Sequence, residues 1–234
     1  MGESNSEKRF EALLSRFSED TRALLKESSQ QLNAYRSDLL AARDIAFPAV
    51  LALAQLLEGR DPFTYGHSKR VARYSFRLAE YLKWPTDRIK LLNMGALLHD
   101  IGKIIIPDSV LLKEGKFTEL DFETMKLHSS SSCRIVHRLG FLGEEVEAWV
   151  LYHHEKYDGT GYPDGLKKDE IPIGARILSL ADAYDAMTSS RRYRQKMPHW
   201  TALDEIAACG GRQFDPDLAN EFSLAMAEPP DFDD

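Results

Sequence analysis

Apolar residues recur at helical spacing along nearly the whole chain, interrupted where glycine and proline gather. Between residues 7 and 43 neither breaker occurs. Phe10, Leu14, Phe17, Leu24 and Tyr35 fall three or four positions apart, or at sums of these, which predicts one long amphipathic helix. Thr21, Ser28 and Gln31 weaken its seam, so it stops short of a coiled-coil pattern. Such a helix either packs on its own domain or serves dimerisation or signalling. From Pro48 onward the pattern predicts helices near 48–58, 66–83, 87–100, 118–139, 143–154, 173–190, 198–209 and 216–227. Thr118 with Asp121 three residues later resembles a capping box, and Asp215 precedes Pro216 as a cap residue precedes a first-turn proline. The isoleucine run 104–106 ends at Pro107, so a buried extended loop is expected there rather than a strand. Residues 157–172 hold repeated breakers and form the longest irregular segment, and long ordered loops in compact domains usually carry function. The fold class expected is all-α.

Composition narrows this further. With 234 residues and 43% hydrophobic content the chain can bury one substantial core. The organisation expected is an N-terminal helical segment over 1–45, a main domain over 46–228 and a flexible acidic tail over 229–234. A formal charge of -7 excludes a general DNA- or RNA-binding surface, so an anionic substrate must meet a local basic cluster. Cys133 and Cys209 show no CxxC spacing, and the N-terminus has no signal-like pattern, so both are expected to be reduced core thiols. No apolar run approaches the ~20 residues that span a bilayer. A soluble, cytoplasmic protein is expected.

The chemistry gathers on five histidines, His67, His99, His128, His153 and His154, with Asp100 and Asp182. Each lies at or near a predicted helix, so distant elements could converge on one bundle interior. Any one of them alone is more often a core histidine than a ligand, and adjacent side chains such as His153 and His154 diverge by about 100° on a helix. Taken together they exceed the needs of one ion. A mixed nitrogen and oxygen donor set suits iron, manganese, zinc or nickel rather than calcium or magnesium, and the lack of neighbouring cysteine speaks against a structural zinc knot. Two metals bridged by a carboxylate and a hydroxide would present a nucleophile in line with a phosphodiester, with Asp100 the best candidate bridge. Lys103, three residues on, either places an ammonium beside that site or offsets a helix dipole. Arg191, Arg192 and Arg194 either clamp phosphate or form a solvated helix end.

The order of His67, His99-Asp100, Lys103, His128, His153-His154, Asp158-Gly159-Thr160-Gly161-Tyr162-Pro163 and Asp182 resembles the HD-GYP family, bacterial phosphodiesterases of cyclic di-GMP within the HD-domain hydrolases. The resemblance runs over residues 61–216 and extends to Asp61-Pro62-Phe63-Thr64, Ala181-Asp182-Ala183-Tyr184-Asp185-Ala186-Met187 and Gln213-Phe214-Asp215-Pro216. It implies an HD-domain helical bundle with two divalent ions, iron or manganese, with nickel or zinc as alternatives. His67, His99, Asp100 and Asp182 would hold one, and Asp100, His128, His153 and His154 the other. Asp100 and Lys103 would be catalytic, while Asp61, Lys103, Tyr162, Asp185, Arg191 and Arg194 would bind substrate. The activity implied is hydrolysis of cyclic di-GMP, with linear pGpG as first product and the reaction either stopping there or proceeding to GMP. The alternatives are pGpG or cyclic GMP-AMP hydrolysis, or a low-turnover cyclic di-GMP sensing or adaptor module. Besides the cyclic dinucleotide, a second copy paired through the N-terminal helix, a diguanylate cyclase (GGDEF) or an upstream sensor are the partners expected. Two departures stand out. Phe63 occupies the place, four residues before His67, where some members carry a third-metal glutamate, which implies two metals. Serines 129–132 and Cys133 stand where a proline and soon a glycine are common.

Overall fold

A computed structural model describes residues 19–59, 66–189 and 196–229. Among them helices are joined by turns, with no strand beyond an isolated bridge between Gly210 and Phe214. The chain divides into two compact units, Met1–Pro48 and Ala49–Asp234. The first helix, α1, runs over Glu19–Glu58 with Pro48 inside it. The separate helix expected over 48–58 is therefore part of a longer one. Proline removes a single backbone donor, and the alanines and leucines that follow are strong helix formers. Of the predicted amphipathic stripe, Phe10, Leu14 and Phe17 lie outside the described residues, and Tyr35 is 71% exposed.

In the second unit the elements follow as α2 (His67–Tyr81), α3 (Thr86–Leu98), a 3₁₀ turn (Ile101–Ile105), α4 (Asp108–Leu111), α5 (Glu119–Leu139) and α6 (Glu144–Leu151). A second 3₁₀ turn (Lys168–Glu170) then leads to α7 (Ile173–Thr188), α8 (His199–Ala208) and α9 (Pro216–Ala225). Helix α2 buries Val71, Tyr74, Ser75, Leu78 and Ala79, a three-and-four stripe that packs on α3 and α7. Helix α5 lies against the first 3₁₀ turn and α6, and α6 against α7. Trp149, Tyr184, Phe222, Leu178 and Leu180 fill the centre. A Cβ at Gly174 would come within 2.4 Å of the Trp149 ring, so only glycine lets α7 approach α6 this closely. The Thr118 capping box is present in full, and Asp215 accepts from the N–H groups of Asp217 and Leu218.

Three expectations are corrected. The run 104–106 is not a buried extended loop. Ile104 and Ile105 lie in the 3₁₀ turn, 55% and 51% exposed, and only Ile106 is buried. Helices α3 and α6 stop at Leu98 and Leu151, short of the histidines expected to lie on them. Cys133 and Cys209 are free thiols, but half-buried rather than core residues.

Candidate metal centre

Helix α2 begins at His67, so its first N–H groups have no partner within the helix. The Glu58 carboxylate, at the end of α1, accepts from the N–H groups of Gly66 and Ser68 at 3.0 and 2.8 Å and thereby caps the turn that bears His67. At the ends of α3 and α6 histidine side chains supply the cap. His99 Nδ1 donates to the Ala96 carbonyl at 2.7 Å and His153 Nδ1 to the Val150 carbonyl at 2.6 Å. These are carbonyls that the terminating helices leave open. A carbonyl can only accept, so both rings carry their proton on Nδ1 and turn the Nε2 lone pair inward. His128, within α5, does the same through the Met125 carbonyl at 2.7 Å. The expected divergence of His153 and His154 does not arise, because both lie in the turn beyond α6, with ring centroids 4.0 Å apart.

Asp100 sits at the N-cap position of the first 3₁₀ turn, its carboxylate making no capping bond to that turn. A Cβ at the adjacent Gly102 would fall 2.1 Å from the His128 carbonyl oxygen and 2.4 Å from the Ser132 nitrogen, so this turn is pressed directly onto α5. Ser132 Oγ accepts the Gly102 N–H at 2.8 Å, and Ser129, Ser131 and Ser132 are buried beneath it. The serine run is thus the socket that brings Asp100 to His128. One Asp100 oxygen, Oδ2, lies 3.6 Å from His67 Nε2 and 3.5 Å from His99 Nε2, and the other, Oδ1, lies 3.3 Å from His128 Nε2. His154 Nε2 stands 3.1 Å from His128 Nε2, and Asp182 Oδ1 3.4 Å from His67 Nε2. Two groups of potential ligand atoms result, His67, His99 and Asp100 on one side and Asp100, His128, His153 and His154 on the other. Lys103 Nζ pairs with Asp100 Oδ2 at 2.5 Å.

The fit to metal ions rests on buried atoms that protein groups do not satisfy. His99 Nε2, His153 Nε2 and Asp100 Oδ1 are buried without a hydrogen-bond partner, a costly arrangement that cation ligation would relieve. The electrostatics agree. Burial alone would raise the Asp100 carboxyl, but Lys103, His99, His128 and His67 hold it well below the usual carboxylate range. Asp182 is lowered against burial by His67, His99 and His154. Burial pushes His128 and His153 down, and His154 to about 3, so all three imidazoles are neutral at pH 7. For His67, burial is outweighed by the Asp185 hydrogen bond and by the charges of Asp182 and Asp100, and its pKa is raised. The lowered groups suit cation binding, as neutral rings with lone pairs and ionised carboxylates between them, while His67 must give up its extra proton to a cation that binds there.

Above the cluster lies a cavity of about 330 Å³, walled by Lys103, Phe117, Met125 and Tyr162 over Asp100, His128, His154 and Asp182. Tyr162 leans over His154 with centroids 4.9 Å apart, and its backbone N–H donates to the His154 carbonyl at 3.3 Å. A Cβ at Gly161 would come within 2.3 Å of the Lys156 nitrogen. Glu155, buried, accepts the N–H groups of Asp164 and Gly165 at 2.7 and 2.9 Å and fixes the far side of the same loop.

Asp185, expected to bind substrate, lines the same cavity, with its oxygens bonded to His67, Arg70 and Ser189. Asp61, Phe63, Arg191, Arg192 and Arg194 lie outside the described residues. Glu58, Arg70 and Glu155 escaped the sequence reading, and Ser132 entered it only within the serine run beside His128. Glu155, directly after the histidine pair, also stood where a local signal could have flagged it.

The HD domain family model matches residues 51–218 of this chain. The chain belongs to the HD domain family. A cyclic di-GMP phosphodiesterase of Thermotoga maritima is 40% identical over 183 residues, covering 76% of this chain and 49% of the relative. A 3'3'-cGAMP-specific phosphodiesterase of Vibrio cholerae is 34% identical over 200 residues, covering 81% of this chain and 38% of the relative. The solved structure of a cyclic GMP-AMP specific phosphodiesterase from V. cholerae superposes with a TM-score of 0.59 at 19% identity, covering 78% of this chain and 49% of that one, and shows the shared HD-domain fold. The chain spans about half the length of these curated relatives, or less. Among the described residues of this HD domain, no helix is long and apolar enough to cross a membrane.

Proposed function

We propose that this HD domain hydrolyses a phosphodiester bond of cyclic di-GMP, releasing linear pGpG and, by a second cleavage, GMP. The reading is carried by Asp100, whose two carboxylate oxygens face separate histidine groups at the floor of a cavity. Kinship with a curated cyclic di-GMP phosphodiesterase at 40% identity supports the substrate class. Two divalent ions, for which the donor set suits iron, manganese, zinc or nickel and the family resemblance implies iron or manganese, would be held by His67, His99, Asp100 and Asp182, and by Asp100, His128, His153 and His154. Bound there, they supply a water acidic enough to ionise at neutral pH and offset the charge of the phosphate.

The side chains account for the remainder. Neutral His128, His153 and His154 offer lone pairs without first shedding a proton. Lys103 reaches Asp100 from the cavity wall, so a phosphate seated over that carboxylate meets the ammonium as negative charge builds on it. Tyr162, whose phenol burial keeps protonated, can donate to a phosphate or a base edge. Asp61, Arg191 and Arg194 are proposed as further substrate contacts on the family resemblance.

Protein prepared anaerobically with iron or manganese should turn over cyclic di-GMP. If the fully metallated protein binds cyclic di-GMP, pGpG and cyclic GMP-AMP but cleaves none of them, the enzymatic reading fails and a sensing or adaptor module takes its place. A cyclic GMP-AMP preference is the second reading, supported by the 34% identical relative, and kcat/KM for the two cyclic dinucleotides separates them. We place the reaction in the cytoplasm, in keeping with two free cysteines. Residues 1–45 are read as a dimerisation or signalling segment, with a second copy, a diguanylate cyclase or an upstream sensor as its partner. Light-scattering mass with and without residues 1–44 tests the dimer.

A further inference from the structure

Three histidines of the centre fix their rings alike, by donating Nδ1–H to the carbonyl three residues back: Ala96 for His99, Met125 for His128 and Val150 for His153. His67 cannot, because it opens α2 and no turn of that helix precedes it. Its Nδ1 donates instead to Asp185 Oδ2 at 2.7 Å, across 118 positions of sequence. That carboxylate is itself held. Arg70 Nη2 donates to the same oxygen at 3.2 Å, while Oδ1 takes Arg70 Nε at 2.6 Å and the Ser189 hydroxyl at 3.1 Å. Asp185 is almost fully buried.

We infer that Asp185, clamped by Arg70 and Ser189, is the positioning residue that sets the tautomer and donor strength of His67, and with them the affinity of one of the two metal positions. The inference rests on the two-metal reading above. It separates the positions chemically: one includes a histidine backed by an anionic carboxylate, whereas His128 and His153 of the other are backed by neutral carbonyls. A carboxylate behind a ligating imidazole raises its basicity, and losing such a partner costs about 10–100-fold in metal affinity.

Asp185→Asn is a sharp probe because its amide has one comfortable orientation. Two donors point at Oδ1 and one, Arg70 Nη2 at 3.2 Å, at Oδ2, so the amide oxygen keeps the Oδ1 side and the NH₂ faces His67 Nδ1 at the loss of that single longer bond. Nδ1 then accepts, and the proton moves to Nε2, the atom aimed at Asp100 and Asp182. In the full chain, Asp185→Asn should bind manganese about 10–100-fold more weakly at one position and unchanged at the other. Paramagnetic resonance should show isolated ions in place of a coupled pair, and imidazole nitrogen NMR of the metal-free variant should find the His67 proton on Nε2. Wild-type affinity at both positions overturns the inference, and so does equal weakening of both, as general loss of packing would give. If the wild-type chain binds fewer than two ions, it is the two-metal reading that fails. The coupling is then decided by adding Asp185→Asn to His67→Ala: no further loss of affinity upholds it, and an additive loss overturns it.

Discussion

Asp100 holds φ −104° and ψ 3°, in the sparsely populated region between helix and strand where many site residues sit. That backbone aims one carboxylate at two groups of imidazoles, so its removal should be felt on both sides. Asp100→Ala should lose both ions and all hydrolysis, measured as bound metal after dialysis and as turnover of cyclic di-GMP. An ion retained at full affinity on either side would show that the carboxylate is not shared. Lys103→Ala should keep both ions while kcat falls by roughly 10²-fold, the usual cost of losing a transition-state charge contact. Metal loss in that variant would contradict its assigned role. At this scale the cluster was legible, because His99-Asp100 and His153-His154, with Lys103 beside the first pair, are local in sequence. What orients them was not, since the Asp185 carboxylate reaches His67 from α7, far along the chain.

The decisive element is the short 3₁₀ turn over Ile101–Ile105, which docks on α5 through a missing side chain. Gly102→Ala would drive a methyl group into the backbone of α5, where neither partner is a flexible side chain. A loss of about 3 kcal/mol is expected, at the upper end for overpacking, together with loss of metal binding as Asp100 is pushed off His128. Urea unfolding beside metal content checks both, and normal stability in the Gly102→Ala variant would refute the close approach. Sequence reading misjudged this element for a physical reason. Three successive isoleucines resemble buried chain, but the turn is anchored by Gly102 and Ile106, which leaves Ile104 and Ile105 outside. The serines of α5 looked like a departure from the family pattern. Their meaning emerges only with Gly102 seated against them.

For the domain as a whole, protonation links the site to stability. Unfolded, His128, His153 and His154 take up protons near pH 6.5, whereas folded they do so only at lower pH, so stability drains away as the pH falls below about 6.5. His67 acts in the opposite sense, since its raised pKa contributes stability at low pH that is lost as pH rises through it. Asp100, Asp182 and Asp185 give stability above the ordinary carboxylate pKa of 3.8 and lose it only as pH falls through their lowered values. Three depressed imidazoles outnumber one raised, so metal-stripped protein should lose stability between about pH 6.5 and about pH 5, with up to about 1.4 kcal/mol per pH unit for each net proton. Denaturant midpoints across that range test it, and flat or rising stability on acidification would contradict the burial of these rings. The all-α order of the domain was readable from spacing and caps. The ends of α3 and α6 were not, because the ring-to-carbonyl bond that His99 and His153 make there is the one His128 makes within α5, so histidine itself carries no stop signal.

The loop bearing Tyr162 is continuous with the cluster through its backbone. Gly161 lies flush on the backbone beyond His154 and Tyr162 is bonded to that histidine's own carbonyl, so whatever displaces the loop displaces His154 with it, and the cavity wall and the histidine beneath it shift as one piece.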